Sequence, residues 1–369
     1  MAVGFLRMNT NLRTRESALE YQILDELKEL GFQTAESEGL DSPAFPGTFS
    51  PSAFHQLVRR CASKEPETLT RWAGSDWVFR HVDLDKIGFS PTHLSTFKML
   101  VFLEAVSQKQ ANDSRERTVQ IVLRLLKRSL KLRANQLYIT YFGGHMALPS
   151  GLADQDELQA LWRHAGVPQR NLIAISGTAN LTNVVRTGEP AGPRCEIFLR
   201  DSHGTFVEIG TVVFECLIVA KTHPLEFKSS SATVCGAAFG LERCEMVSHK
   251  SQDIFQSPKL RSALGVIESD LHPNLAGLGG NQVRRIVDAI RTAMIIVSNT
   301  RTPLSRARKD RVRDVRNIIF RAATSLGYED IPALVDRVVI SLSDRNRFND
   351  EIISSAVRTL LWPTERNGE

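Results

Sequence analysis

The 369-residue sequence predicts an α+β fold, in which an antiparallel sheet flanked by helices is followed by an all-α region. Strand-like segments recur between residues 77 and 235, and several are linked by loops rather than by crossover helices, which favours a mixed or antiparallel sheet. After Ser251, apolar residues recur at three- and four-residue spacing, the period of amphipathic helices. We therefore expect a sheet-containing domain at residues 1–250 and a helical domain at residues 251–369.

The composition describes a globular chain. Hydrophobic residues make up 42% of the sequence, which is enough to bury a large core. No run approaches the roughly 20 apolar residues that a membrane-spanning helix needs, and residues 1–12 lack the apolar centre of a signal peptide. We expect a cytoplasmic protein without a membrane partner, and the sequence leaves the oligomeric state open.

The cysteines argue against two kinds of stabilising site. They are odd in number and scattered, and most lie in apolar strand-like segments, so we expect small core residues rather than a disulfide framework or a zinc site. The five are Cys61, Cys195, Cys216, Cys235 and Cys244.

The N-terminal part of the chain begins with a helix and continues into a long hairpin. Apolar residues at helical spacing predict a helix over Ser17–Leu30, which Gly31 is placed to end. Residues 36–52 are rich in Ser, Pro and Gly and predict an ordered loop. Two apolar segments, Trp77–Arg80 and Ser95–Leu103, then predict antiparallel strands joined by a polar loop.

The middle of the chain mixes two helices with further strands. The basic segment Ser114–Leu132 and the segment Asp154–Gly166 predict helices, and a loop rich in Gly and Pro, Arg186–Pro193, separates two of the strands. The predicted strands are Gln136–Phe142, Asn171–Ser176, Cys195–Arg200 and Phe206–Ile218.

A small-residue stretch, Ala232–Met246, ends the strand-rich part of the chain. Thr233–Cys235 predicts a buried strand, and the Gly and Ala residues of 236–240 would let a large flat ligand approach the backbone closely. Arg243 follows where a helix would begin, and a buried guanidinium needs an anionic or aromatic partner. Two interpretations stay open: a ligand-binding strand, or a tight turn with Arg243 in a structural ion pair.

The helical region carries a dense basic block. Residues 301–321 contain eight Lys or Arg and only two Asp, although the whole chain has a net charge of only +5. Such a block suits a polyanion, and a solvated helix face is the alternative. The predicted helices of this region are Val283–Val297, Arg311–Leu326, Ile331–Leu342 and Glu351–Leu361.

The order of these motifs resembles the class II aminoacyl-tRNA synthetases. Val78–Arg80, the loop after it and His93–Phe97 on the returning strand are similar to motif 2 of that class, and Gly236–Arg243 is similar to motif 3. The resemblance implies a class II synthetase-like antiparallel sheet flanked by helices.

Within that class, three further segments resemble alanyl-tRNA synthetases in order and spacing. The resemblance runs from about Ser17 to about Leu342 and covers a catalytic and a helical region, so it implies a truncated, divergent paralogue whose helical domain faces tRNA. The three segments are Asp83–Phe89, Thr187–Phe198 and Val207–Phe214.

The resemblance implies an ATP site made of four residues. Arg80 would bind the α-phosphate together with the attacking carboxylate, and His93 would hold the β- and γ-phosphates. Phe97 would stack on adenine, while Arg243 would cover the other face of adenine or grip the γ-phosphate. Arg80 and Arg243 are the implied catalytic residues, because joining a carboxylate to a phosphate depends on positioning and charge stabilisation.

The resemblance also implies magnesium as a cofactor beside ATP. The ion would bridge the phosphates, and Glu196 and Glu208 are the candidate ligands because Mg²⁺ prefers carboxylate oxygens. The alternative is that either carboxylate pairs only with a core arginine.

The implied amino-acid pocket departs from the family pattern. Of its residues Asn183, Glu208, Thr211 and Gly236, the first stands where the family has Trp, and Thr211 stands where it has Asn. Gly236 stands where an Asp receives the α-ammonium of alanine, and losing such a carboxylate weakens substrate binding by a few kcal/mol. We therefore expect a small carboxylic or amino acid that is recognised differently from alanine.

Two functions follow. The first is ATP-dependent activation of an amino acid or related acid as an acyl adenylate, with transfer to tRNA or another acceptor. The alternative is a catalytically degenerate paralogue that binds tRNA or ATP, and a structural core without a ligand is a third reading. In the first two, the basic helix would contact phosphates of a tRNA acceptor stem. The residues implied in that contact are Arg308, Arg311, Arg313 and Arg316.

Overall fold

The computed structural model describes residues 17–64, 66, 69–144, 155–201, 203–271, 279–343 and 347–363. Within these residues, nine strands form one sheet, helices flank it, and the part after residue 250 is helical. The α+β class predicted from the sequence is confirmed. A search of the described helices finds none with the length and apolar character needed to cross a membrane.

The strands follow the order β1-β2-β3-β9-β8-β7-β4-β5 across the sheet, and β6 pairs with β8 outside this path. The pairs β1–β2 and β4–β5 are parallel, and the others are antiparallel. The bounds are β1 Gln33–Thr34, β2 Thr70–Phe79, β3 Thr96–Val106, β4 Leu137–Phe142, β5 Leu172–Ile175, β6 Pro190–Ala191, β7 Arg194–Arg200, β8 Phe206–Thr222 and β9 Leu225–Gly240.

The described helices pack on the sheet and on one another after it. Those in the sheet-containing part are α1 Ala18–Glu29, α2 His55–Ser63, α3 Ala111–Ser129, α4 Gln155–His164 and α5 Leu241–Ser248. Those that follow are α6 Pro258–Glu268, α7 Gly280–Asn299, α8 Arg306–Ser325, α9 Ile331–Leu342 and α10 Arg347–Leu361.

Local sequence explains how the first helix is bounded. The Ser17 hydroxyl accepts a hydrogen bond from the Glu20 amide at 3.0 Å, which satisfies one of the free donors at the start of α1. Gly31 has a φ of +86°, a left-handed conformation that suits glycine after a helix. Two predicted segments, residues 1–12 and the helix start at Asp154, lie outside the described residues.

The longest hairpin, β8–β9, was predicted only in part. The sequence placed a strand at Thr233–Cys235, whereas β9 starts at Leu225. Its first half carries Lys and Ser side chains that mostly face solvent, and such residues give no apolar signal. Pairing with β8 supplies the order that the local sequence does not indicate.

The start of β3 is fixed by α7 of the helical region. Asp288 is 1% exposed and accepts hydrogen bonds from the Ser95 amide at 3.1 Å and the Ser95 hydroxyl at 2.5 Å. The same hydroxyl lies 2.6 Å from Thr292 Oγ1. These contacts anchor the strand that carries Phe97. The division into domains at residues 1–250 and 251–369 stays a prediction.

Candidate active site

A cavity of about 190 Å³ opens where the β2–β3 loop, β8, β9 and the start of α5 meet. Its walls include the four residues proposed for ATP and two of those proposed for the acid. The six predicted residues that line it are Arg80, His93, Phe97, Glu208, Thr211 and Arg243.

Strand register explains why residues far apart in sequence meet here. In β3, Met99 pairs with Gly240 of β9, and in β8 Thr211 pairs with Ala238 of β9. Paired residues point to the same face, so these side chains share one surface with Phe97. A Cβ on Gly240 would lie 3.7 Å from the Phe97 ring, so the absence of a side chain here leaves one edge of that ring uncovered.

Arg80 stands at the entrance, directly after β2. Its amide donates to Ser95 O at 2.8 Å, and its Nε lies 3.6 Å from Asp83 Oδ2. Asp83 also accepts a hydrogen bond from Lys86 Nζ at 2.7 Å. Burial raises the pKa of Asp83, but the Lys86 hydrogen bond and the Arg80 and Lys86 charges outweigh it, so its pKa lies below the ordinary value. At the entrance, Arg80 and Lys86 are therefore both positioned by the Asp83 carboxylate.

His93 is oriented by its own loop. Its Nδ1 lies 2.6 Å from the Ser90 hydroxyl, which fixes the plane of the ring. Burial and the neighbouring Arg243 charge lower the pKa of His93, with Asp83 opposing them. At neutral pH the ring is therefore mostly uncharged.

The contacts of Arg243 agree in part with each of the two interpretations left open by the sequence. Its Nε donates to Thr92 O at 3.1 Å and its Nη1 donates to Glu208 O at 2.8 Å, so the guanidinium joins the β2–β3 loop to β8. It also lies 3.6 Å from Glu208 Oε2 and keeps 21% of its side chain exposed to the cavity. Arg243 has structural contacts and still faces the site.

Sequence reasoning missed a partly buried ion pair in the cavity wall. Glu242 accepts hydrogen bonds from the Lys98 amide at 3.0 Å and from Arg291 Nη2 at 2.5 Å, and Arg291 lies over the Trp77 ring at 5.3 Å. Burial raises the pKa of Glu242, and Arg291 opposes that shift. The only sequence signal was an acid beside Arg243, since the partner Arg291 comes from α7.

The two candidate magnesium ligands differ in position. Glu208 lines the cavity with 42% of its side chain exposed, whereas Glu196 is absent from the lining and lies 3.0 Å from Arg194. Glu196 pairs with Thr211 on the neighbouring strand, and burial together with the Glu208 charge raises its pKa against the effect of Arg194. No group of three or more His, Cys, Asp or Glu suited to a metal occurs among the described residues.

Two members of the predicted acid pocket lie away from the cavity. Asn183 has a φ of +51° and donates to Pro190 O at 2.9 Å and to Glu215 Oε1 at 3.2 Å. Gly236 lies mid-strand in β9, where a Cβ would come within 2.4 Å of Phe102 O. Close strand approach alone thus requires glycine at position 236.

The basic helix α8 presents three of its four predicted residues to solvent. Arg311 and Arg313 pair with acids one turn away and remain 37% and 59% exposed, and Arg316 is half-buried. Arg308 is 6% exposed and donates to Thr48 O at 3.0 Å, and its Nη2 donates to two further carbonyls of the same loop. The structure therefore assigns Arg308 to a structural contact rather than to the exposed face.

The charges of α8 act on a residue next to the cavity. Burial and the Arg311 charge lower the pKa of His81, with Asp314 opposing them and Arg80 adding to them. His81 directly follows Arg80, which lines the cavity.

Sequence comparison relates the chain to one group of enzymes. It is 23% identical over 280 residues to the alanine–tRNA ligase of Rhizobium johnstonii, a match that covers 70% of this chain and 29% of that protein. The chain is similar to alanine–tRNA ligases. It is 25% identical over 287 residues to the ligase of Jannaschia sp., covering 70% of the chain and 30% of the relative. The resemblance predicted from the motifs is confirmed.

A shorter match and the lengths of the relatives complete the comparison. The chain is 31% identical over 156 residues to the alanine–tRNA ligase of Schizosaccharomyces pombe, covering 42% of the chain and 15% of that protein. The chain thus spans less than a third of the length of the relatives it matches. No protein-family model matches it.

Solved structures overlap with the chain only in part. The RNA binding domain of threonyl-tRNA synthetase from Cryptosporidium parvum gives a TM-score of 0.39 at 11% identity, over 63% of this chain and 64% of that one. A pyrrolysyl tRNA synthetase from Desulfitobacterium hafniense gives 0.35 at 13% identity, over 64% and 67%. Overlap this partial says nothing further about the site.

Proposed function

We propose that the chain binds ATP in the cavity and uses it to activate a carboxylic acid as an acyl adenylate. A carboxylate oxygen bonds to the α-phosphorus, the bond from that phosphorus to the β-phosphate oxygen breaks, and pyrophosphate leaves. The acyl group then passes to a nucleophilic acceptor and AMP is released. The observation that carries the proposal is the meeting of Arg80, His93, Phe97 and Arg243 around one cavity.

The cavity chemistry suits a polyphosphate and an aromatic base. Arg80, Lys86 and Arg243 bring three cations to one side, and Phe97 offers a ring on the sheet surface. Fixed cations stabilise the charge that develops when pyrophosphate leaves, because they need no reorganisation during the reaction. The residues of this cavity would hold the carboxylate of the acid in line with the α-phosphate of ATP. Such positioning is the larger part of the catalysis.

Magnesium fits this site through Glu208 more clearly than through Glu196. Mg²⁺ in proteins is commonly bound by one or two carboxylates together with substrate phosphates, so a three-acid cluster is not required. Glu208 is half-exposed in the cavity wall, and Glu196 would join it only by leaving Arg194. When bound, the ion would neutralise phosphate charge.

A pyrophosphate-exchange screen across amino acids and related acids tests the proposal. We expect exchange with at least one acid, and we expect Arg80→Ala to lower the rate at least about a hundredfold, as loss of a transition-state contact does. Arg200→Ala is the matched control, because Arg200 is an exposed arginine at the end of β7 that does not line the cavity. Absence of exchange with every acid, alongside intact ATP binding, would contradict the proposal.

The second candidate function is binding of a tRNA acceptor stem without catalysis. It is supported by the exposed arginines of α8. Such a surface positions a phosphate backbone without reading its bases. The same surface would bring an acceptor end to the cavity if the chain is an enzyme.

Filter retention of an acceptor-stem minihelix tests this surface. Reversing Arg311, Arg313 and Arg316 to Glu should weaken binding and reduce its salt dependence by about one unit of slope for each lost phosphate contact. A matched triple reversal at the exposed Arg163, Arg170 and Arg200, which lie outside α8, should have a much smaller effect. Equal losses in the two variants would show that only net charge matters.

A further inference from the structure

Glu215 in β8 is a buried carboxylate with one unsatisfied oxygen. The residue is 5% exposed, and its Oε1 accepts a hydrogen bond from Asn183 Nδ2 at 3.2 Å. Its Oε2 is buried and has no hydrogen-bond partner among the described residues. The Thr182 hydroxyl accepts a hydrogen bond from the Gly192 amide at 3.0 Å, and it acts on Glu215 only as a neutral donor. A buried carboxylate that is held by neutral donors alone is costly, so a charged partner is missing.

Glu215 lies on the same face of the sheet as the cavity. Side chains alternate along a strand, so Thr211, Val213 and Glu215 share one face, and the bulge in β8 begins only after Glu215. Thr211 lines the cavity. Glu215 is four positions further along the strand than Thr211, which places it about 13 Å away.

Nothing on β9 can replace this carboxylate. Val213 pairs with Gly236, and the next row pairs Glu215 with Val234. A Cβ on Gly236 would collide with the Phe102 carbonyl, so no acidic side chain can stand there without moving β3. In these two rows of β8 and β9, Glu215 is therefore the acidic residue.

Arg194, on the strand next to β8, is already engaged. Arg194 of β7 pairs with Val213, but its guanidinium donates to Ala179 O at 2.6 Å and lies 3.0 Å from Glu196. These contacts hold it to its own strand and to the preceding loop.

A second carboxylate, Glu189, has three charged or ionisable partners. His55 Nε2 lies 2.8 Å from Glu189 Oε2, Arg59 donates to both carboxylate oxygens, and Arg186 lies 3.5 Å from Oε1. Burial raises the pKa of Glu189, but hydrogen bonds from Arg59 and His55 outweigh it, so the pKa is lowered. Glu189 is an anion with its own partners and leaves no cation for Glu215.

We propose that Glu215 receives a cationic amine on the acid that the protein activates, at the end of that acid remote from its carboxyl group. The inference rests on the proposed function. An ammonium carries three donors and makes charge-assisted hydrogen bonds to a carboxylate, which is what Oε2 lacks. The span of about 13 Å from the Thr211 row, less about 3 Å for the hydrogen bond, selects acids whose amine lies about eight bonds from the carboxyl carbon, such as long ω-amino acids.

The protonation of Glu215 gives a direct signal of amine binding. Burial raises the pKa of Glu215 to about 8, with the Thr182 hydroxyl opposing and the Glu189 charge adding to the shift. At pH 7 the free protein therefore holds a proton on this carboxyl in most molecules. An ammonium would displace that proton, and calorimetry in buffers of different ionisation enthalpy counts it.

The experiment titrates the full chain at pH 7, with an unreactive ATP analogue present, using lysine, 6-aminohexanoate and 8-aminooctanoate. We expect at least one of them to bind with release of nearly one proton, and Glu215→Gln to bind it at least about tenfold more weakly with no release. Glutamine keeps an acceptor for Asn183, and thermal melting checks that the variant folds. Glu226→Gln, an exposed residue of β9, is the matched control and should behave as the wild type.

Two further ligand sets complete the experiment. Alanine and valine carry only an α-amine, and hexanoate carries none, so we expect Glu215→Gln to leave their weak binding unchanged. Failure of every remote amine to bind, or binding of one that Glu215→Gln does not alter, would overturn the inference, as would a loss of alanine binding in this variant.

Pyrophosphate exchange run in parallel separates the two proposals. Glu215-dependent amine binding without exchange would leave the amine site standing and reject adenylate formation. Exchange that is indifferent to Glu215→Gln would reject the amine site and leave adenylate formation standing.

Discussion

Glu215 makes the free energy of unfolding depend on pH at the scale of a single residue. Its pKa is about 8 in the folded protein against an ordinary value of 4.5. Between these values the folded state keeps a proton that the unfolded state has lost, so the free energy of unfolding falls as pH rises. Relative to Glu215→Gln, the wild type should lose up to about 1.4 kcal/mol per pH unit from pH 5 to pH 8 and level off above that range.

Urea denaturation of both proteins at one-unit pH steps measures this difference. The groups around Glu215, namely Glu189 with its partners His55, Arg59 and Arg186, are present in both proteins, so their titration largely cancels. A difference that does not change with pH would mean that Glu215 binds the same number of protons in the folded and unfolded states, so that folding does not raise its pKa.

Individual residues were predictable from sequence where a local motif carried them. Arg80, His93, Phe97 and Arg243 each occupy a fixed place in an ordered series, and all four line the cavity. Glu215 had no such signal, because its burial depends on which loop covers β8. The buried position of Arg308 was hidden for the same reason, since its partners are carbonyls of a distant loop.

At the scale of elements, prediction from sequence succeeded where periodicity was long. Helices α1, α3, α7, α8 and α9 and the β2–β3 hairpin were found, because each repeats its apolar pattern over several turns or pairs. The nine-residue helix α2 was missed, since its buried positions include His55 and it is too short for a clear period. Yet α2 supplies His55 and Arg59, which both contact Glu189. A short helix that the sequence pattern does not indicate therefore provides the partners of this buried carboxylate.

At the scale of the whole molecule, the sheet and the helices after it share one hydrophobic core. A continuous cluster of buried residues includes Phe102 and Phe214 of the sheet together with Ile290 of α7 and Val335 of α9. Tertiary packing of this kind couples the unfolding of the parts it joins. Sequence patterns indicated a helical region but carried no information on how much core it shares with the sheet.

Arg308 offers a test of that coupling. Its guanidinium links α8 to the loop at residues 42–48, and the amide of Phe79 at the end of β2 donates to Ser50 O just beyond that loop. Replacement by Ala removes a charged donor from three carbonyls, so we expect Arg308→Ala to lower the free energy of unfolding by about 3 kcal/mol. Arg313→Ala, on the exposed face of the same helix, should change it by less than about 0.5 kcal/mol.

Denaturation followed by two probes separates a local from a global effect of this replacement. With Trp362 after α10 replaced by Phe in both proteins, Trp72, Trp77 and Trp162 report on the sheet-containing part through fluorescence, whereas circular dichroism follows all of the helices. If the shared core couples the two parts, both signals change together in the wild type, and both midpoints fall together in Arg308→Ala. A fall in the dichroism midpoint alone would mean that α8 and its neighbours unfold as a separate unit, and equal stability of the two arginine variants would mean that the Arg308 contacts contribute nothing.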